Sequence, residues 1–335
     1  MDVLVLGADE VARLLPPAAA VEAMAAAYRA LARGEARVPP RSALVPPDRA
    51  GALAWMPAWF APASGPVFGI KAITVFGRNR STPYRSHQGA VVLFDGEHGR
   101  PLAIVEAGAI TEARTAAVSA LATRLLARPD AGRLALFGSG AQASAHLAAL
   151  RAVRPVREVR VWSRNPDNAR RFARAEAERH GLPVDAVETG RAAAAGADLI
   201  CTATAARVPV LLGAWIAPGA HVNAVGASVP PFRELDGEAV RRSRLFVETR
   251  EAALAEAEDI RIPLREGLIA EDHVLAELGE LVERDAAGRT GPAEITLFKS
   301  VGLGLEDVAA ACAVYRRAME EGVGSRVAWG AERPG

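Results

Sequence analysis

The run Leu134 to Ala143, LALFGSGAQA, constrains this chain more than any other stretch. Leu134 to Phe137 reads as a short buried strand, and a helical pattern (Ala145, Leu147, Ala148, Leu150) follows at once. Between them, Gly138-Ser139-Gly140-Ala141-Gln142-Ala143 fits G-x-G-x-x-A. Framed by a strand and a helix, that motif means dinucleotide binding. The first glycine permits the turn, the second lets backbone approach a pyrophosphate, and the small last residue lets helix and strand pack closely. The free amides at the helix start face the phosphates. Taken alone, the spacing also fits a glycine-rich βα turn in any parallel sheet.

With 335 residues the chain is long enough for two domains. Its 40 basic and 39 acidic residues leave a formal charge of +1 with no basic block, so a nucleic-acid or membrane-surface partner has no electrostatic support. No run approaches the roughly 18 apolar residues of a membrane span, and MDVLVLGADE has neither a basic n-region nor a cleavage site. Cys201 and Cys312 lie far apart in apolar segments, as expected for a reduced, cytoplasmic chain, and no metal site is expected. Only Lys71 and Lys299 are lysines, the other 38 basic residues being arginine. Two lysines in so arginine-rich a chain mark positions where a compact ammonium does what a planar guanidinium cannot, unless they survive by chance.

Periodicity predicts a strand at Val3–Leu6, with Asp9 as an N-cap, and a helix over Pro17–Arg33. Strand-like runs follow at Gly51–Pro57, Val67–Phe76, Ala90–Asp95 and Pro101–Glu106, then a helix over Thr111–Ala127 with Thr111 as N-cap. From Arg133 the pattern becomes βα alternation. Strands are predicted at Val159–Trp162, Val184–Val187, Leu199–Thr204, His221–Val225, Leu245–Glu248 and Ile295–Ser300. Helices are predicted at Pro166–His180, Arg191–Ala195, Glu251–Glu258, Asp272–Glu283 and Leu305–Met319. The fold class is therefore α/β: a parallel sheet wrapped by helices, preceded by an α+β unit rich in antiparallel strands.

In a dinucleotide fold, a carboxylate after the second strand usually holds the ribose 2′-hydroxyl. Here the strand runs into Ser163-Arg164-Asn165, a hydroxyl and a guanidinium suited to a 2′-phosphate, so NADPH is expected over NADH. Thr202-Ala203-Thr204 and Val225-Gly226-Ala227-Ser228 end successive strands with small residues, where a cofactor binds, or where a crowded sheet simply ends. Lys71 lies in an otherwise apolar strand and either meets an anionic partner or reaches back to water. Arg41 sits in a proline-rich turn, and Arg114 either binds a ligand or makes a helical salt bridge.

Four blocks together resemble the ornithine cyclodeaminase/mu-crystallin family: Ile110-Thr111-x-x-Arg114-Thr115-Ala116-Ala117, the glycine turn, Asn223–Ser228 with Arg233–Asp236, and Phe298-Lys299-Ser300-Val301-Gly302 with Glu306-Asp307. The resemblance runs nearly end to end. It implies a Rossmann NAD(P)-binding domain over residues 113–304, and a substrate-binding and dimerisation domain from residues 1–112 and 305–335. It also implies a homodimer. By resemblance, Arg41, Lys71 and Arg114 hold the α-carboxylate of an amino or imino acid. Ser86-His87 and Thr115 belong with the cofactor contacts, and Lys299-Ser300 match a loop near the nicotinamide.

One departure bears on the activity. Ornithine cyclodeaminases carry aspartate in a Gly-x-Asp-x-Pro block, where it handles the substrate amine, whereas this chain has Gly226-Ala227-Ser228-Val229-Pro230. The serine is shared with the mu-crystallin-like ketimine reductase branch. The resemblance thus implies NAD(P)H-dependent reduction of a cyclic ketimine carboxylate, Δ1-pyrroline-2-carboxylate or Δ1-piperideine-2-carboxylate, to proline or pipecolate. Amino-acid dehydrogenation of the alanine dehydrogenase type, ornithine cyclodeamination and a non-catalytic, crystallin-like binding role are the alternatives.

Overall fold

The structure, a computed structural model, describes residues 2–48 and 50–330. The chain begins with β1 (Asp2–Leu6), α1 (Ala8–Leu14), α2 (Pro17–Ala32), β2 (Ala36–Arg37) and β3 (Ser42–Leu44). Long strands β4 (Ala52–Phe60), β5 (Val67–Val75) and β6 (His87–Asp95) lead to β7 (Pro101–Glu106) and α3 (Ala107–Leu126). Alternation then sets in with β8 (Arg133–Phe137), α4 (Ala141–Arg151), β9 (Glu158–Trp162), α5 (Pro166–His180), β10 (Val184–Ala186), α6 (Gly190–Ala194) and β11 (Leu199–Thr202). It continues through β12 (His221–Ala224), α7 (Gly237–Arg241), β13 (Arg244–Val247), α8 (Arg250–Glu256), α9 (Glu258–Arg265), β14 (Val274–Glu277), α10 (Leu278–Glu283) and β15 (Thr296–Lys299). Helix α11 (Gly304–Glu321) and β16 (Ser325–Ala328) follow. Among the described residues, no helix is long and apolar enough to cross a membrane.

The chain divides into two compact units, Met1–Arg114 with Leu303–Gly335, and Thr115–Gly302. The first unit is built on a sheet of order β16-β1-β7-β6-β5-β4-β2, with β3 also paired to β4. Its neighbours are antiparallel except β1 and β7. Register places Met56, Lys71, Val91 and Val105 side by side on one face, all buried, and α11 packs there with α2. Gly69 makes room for that helix, since a Cβ would lie 2.6 Å from a methyl of Val308. Because side chains alternate along a strand, the other face carries Pro57, Ile70, Val92 and Ile104, also in register and only half-buried.

In the second unit every strand pair is parallel, in the order β10-β9-β8-β11-β12-β15-β13-β14. Both faces are covered: Leu134 and Leu136 of β8 enter one apolar cluster, Ala135 and Phe137 the other. The strand order reverses between β8 and β11, the switch point at which such sheets open a ligand crevice beyond their carboxyl ends.

Several boundaries differ from the sequence expectation, each for a local reason. Gly7, not Asp9, is the cap of α1, because the Glu10 carboxylate reaches back to accept from the Gly7 amide (3.0 Å). Helix α3 starts at Ala107 because the Glu106 carboxylate accepts from the Gly108 and Ala109 amides (2.8 and 2.6 Å), which puts Thr111 inside the helix. The helix expected over Asp272–Glu283 is a strand followed by a helix. Val274 and Ala276 are buried beside β13, and Glu280 caps the Glu277 amide (2.6 Å), so the helix begins only at Leu278. Strand β16, paired with β1, is an element that the sequence reading lacked.

Candidate active site

The glycine turn has the shape a pyrophosphate needs. Gly138 has φ +118°, and a Cβ there would lie 2.6 Å from the Ala203 carbonyl, so only glycine fits. Gly140 is the exposed N-cap of α4, and a Cβ there would meet nothing within 4 Å, which leaves the first-turn amides open to approach. Ser139 and Gln142 are half-buried, Ala141 is exposed, and Ala143 is buried where α4 meets the sheet. His146 fixes α4 from below. Burial lowers its imidazole to about 4, so it is neutral. Its Nδ1 lies 2.7 Å from the Gln142 carbonyl, which only accepts, so Nδ1 carries the proton and Nε2 accepts from the Ser119 hydroxyl (2.9 Å). The residues of the turn thus fit a dinucleotide.

At the end of β9, Ser163 is half-buried and Arg164 is exposed. Asn165 is the N-cap of α5, its side chain accepting from the Asp167 and Asn168 amides (2.9 and 3.3 Å). Its side-chain oxygen thus serves the start of the helix.

The ends of β11, β12 and β15 are tied together by carboxylates that the sequence reading left without a role. Glu234, fully buried, accepts from the Thr202 hydroxyl (2.8 Å), the Thr204 amide and hydroxyl (2.6 and 2.7 Å) and the Gly226 amide (2.7 Å). Burial pushes its carboxyl above the ordinary range, opposed by the charge of Lys299 and the threonine hydroxyls. Thr202 therefore faces inward. Val225 is buried and Ser228 half-buried just beyond β12. Lys299 and Ser300 do not form an open loop. Lys299 ends β15, fully buried, with Nζ 3.1 Å from an Asp259 oxygen, and the Ser300 hydroxyl donates to Glu248 (2.6 Å). Each is held by a buried acid. A lysine in a buried strand signals that such an acid must exist; the sequence does not say which.

In the first unit, Lys71 and Arg114 are brought together by Asp307. The Lys71 ammonium is 2.7 Å from one Asp307 oxygen and the Arg114 Nε donates to the other (3.0 Å). Arg114 Nη1 also donates to Glu306 (2.5 Å), whose other oxygen accepts from the Tyr28 hydroxyl (2.6 Å). All four charged groups are buried, and Lys71 also reaches the Thr111 hydroxyl (3.5 Å). Burial lowers Lys71 to about 8, against the pull of Asp307. The acids lie in the first turn of α11, which comes this close to β4 because Gly304 has no Cβ; one there would be 2.7 Å from the Pro57 carbonyl. Arg41 is half-buried at the foot of β3. The Ser86 hydroxyl pairs with His87 Nδ1 (3.0 Å) at the exposed start of β6, and Thr115 is buried one residue beyond Arg114.

A parallel sheet whose strand order reverses beside a G-x-G-x-x-A turn defines a Rossmann-type dinucleotide-binding protein. The chain belongs to the ornithine cyclodeaminase/mu-crystallin family, whose model matches residues 1–322. It is 38% identical over 302 residues to the Mus musculus ketimine reductase mu-crystallin, covering 90% of this chain and 91% of that one. Among solved structures it is similar to Thermococcus litoralis Δ1-pyrroline-2-carboxylate reductase in complex with NADH and L-proline (TM-score 0.93, 37% identity, 97% and 100% of the two chains). It is likewise similar to an archaeal alanine dehydrogenase dimer with bound NAD (TM-score 0.91, 31% identity, 98% and 100% of the chains).

Proposed function

We propose that the protein is an NAD(P)H-dependent reductase of cyclic ketimine carboxylates, taking Δ1-pyrroline-2-carboxylate or Δ1-piperideine-2-carboxylate to L-proline or L-pipecolate. The observation that carries this reading is the buried Lys71–Arg114 pair, two cations that Asp307 holds side by side, a combination suited to gripping a carboxylate. Relatives named as reductases of such imines support it. The nicotinamide supplies the hydride. Lys71, Arg114 and Arg41 hold the carboxylate, and fixing the ring in this way contributes several kcal/mol to lowering the barrier. Asp307 and Glu306 balance the two buried cations before substrate arrives, so neither is left as an uncompensated charge. Ser228 hydrogen-bonds the imine nitrogen; the substrate reacts as the protonated iminium, so the nitrogen already carries its proton and hydride addition to the carbon completes the amine. A serine there cannot act as the base that amine oxidation needs, which disfavours ornithine cyclodeamination.

Ser163 and Arg164 are proposed to bind a 2′-phosphate, making NADPH the preferred cofactor, with Ser86, His87 and Thr115 as further contacts. The half-buried apolar face of the first unit's sheet supports a homodimer: Phe68 is 51% and Leu53 41% exposed there. A cytoplasmic setting is supported by Cys201 and Cys312, both buried and unpaired.

The test is NADPH oxidation with each cyclic imine, with NADH and with pyruvate plus ammonia in parallel. Turnover of either imine is the expected result. Turnover of pyruvate alone reassigns the protein as an amino-acid dehydrogenase, and bound NADPH without any turnover reassigns it to a binding role.

A further inference from the structure

We propose that Glu234 is a positioning residue that holds the strand ends beside the phosphate turn of the cofactor site in shape; the inference rests on the cofactor reading above. Its carboxylate is buried with no cation in hydrogen-bond contact among the described residues, an expensive arrangement unless its oxygens are fully used. They are used entirely on two loops. Oε2 accepts from Thr202 at the end of β11 and from the Gly226 amide beyond β12, while Oε1 accepts twice from Thr204. The loops touch so closely that a Cβ on Gly226 would lie 2.1 Å from the Thr204 carbonyl.

From there the chain of contacts reaches the phosphate turn. The Ala203 amide donates to the Phe137 carbonyl (2.8 Å), and its own carbonyl is the atom that forbids a side chain at Gly138. Behind Glu234, the amides of Glu234 and Leu235 both donate to one oxygen of Asp259 (2.8 and 2.9 Å), and the other oxygen faces Lys299 at the end of β15. The Glu234 carboxylate thus ties the ends of β11 and β12 together, with β8 reached through the Ala203 backbone and β15 through Asp259. Two of its four donors are backbone N–H groups of those loops. Neither Asn nor Gln can replace it, because each has only one accepting oxygen.

Glu234→Gln tests this. It keeps the shape but presents an NH2 group to donors that need an acceptor. The expected result is a dissociation constant for NADPH, read by fluorescence titration, raised roughly tenfold or more. The KM for the imino acid, whose carboxylate Lys71, Arg114 and Arg41 hold on the reading above, changes less than the NADPH constant does. Should circular dichroism show Glu234→Gln unfolded, Thr202→Val, which deletes one buried hydroxyl and keeps the volume, carries the test with the same split at a smaller shift. Wild-type NADPH affinity in a folded variant overturns the inference, as does an equal change in both constants. A wild-type chain that binds neither NADPH nor NADH overturns the cofactor reading and this inference with it.

Discussion

Lys71 sits in a strand whose neighbours on the same face are apolar, and its ammonium has given up water for Asp307 and Thr111. Its pKa, about 8 in the fold against 10.5 as a free side chain, gives two opposite pH trends. Between those values the unfolded chain binds the proton and the folded chain does not, so this group makes the protein more stable as pH rises through the window. Over the same rise Lys71 loses the charge that is proposed to grip the substrate. KM for the imino acid is expected to climb above pH 8, with kcat changing less, while the urea midpoint moves up; a KM flat across that range would remove Lys71 from carboxylate binding. Lys71→Ala is expected to abolish turnover and to leave NADPH affinity unchanged, as fluorescence titration would show. Arg164, proposed to hold a 2′-phosphate, is exposed beyond the end of β9. Arg164→Ala should raise KM for NADPH roughly tenfold or more and leave that for NADH almost unchanged. Equal effects on the two would end the phosphate role.

At the scale of elements, signals carried by neighbours in sequence are the legible ones. The strand Leu134–Phe137, its glycine turn and the helix after it are specified between Leu134 and Arg151, and α5 is framed by Asn165 at one end and Gly181, φ +62°, at the other. Asn165→Ala should cost about 1 kcal/mol in urea unfolding without cofactor; an unchanged midpoint would mean that the cap contributes nothing. What was not legible depends on partners far away. Val274 to Glu277 has helical composition and becomes a strand only because β13 offers it an edge. The Thr202–Glu234 bond spans 32 residues and the Arg114–Asp307 bond 193, so no local pattern marks these acids as partners. Lys71 and Lys299 announce that buried acids exist, and only the fold identifies them as Asp307 and Asp259.

For the molecule as a whole, the apolar sheet face predicts the oligomeric state. Phe68 pairs with Trp59 and Phe94 across three adjacent strands of that face. Phe68→Asp is expected to convert a dimer to a monomer by sedimentation, with the monomer's secondary structure intact; a wild-type monomer, or a variant that stays dimeric, would refute this use of the face. The division of the chain also bears on its synthesis. Residues 115–302 lie in one uninterrupted stretch, so their sheet can close as soon as it clears the ribosome. The first unit must wait. Lys71 and Arg114 emerge early, but the acids that let them be buried arrive on α11, after the whole of the second unit. Until then the nascent chain keeps both cations in water, and a message cut short before Gly304 yields a polypeptide whose first unit has no way to bury them.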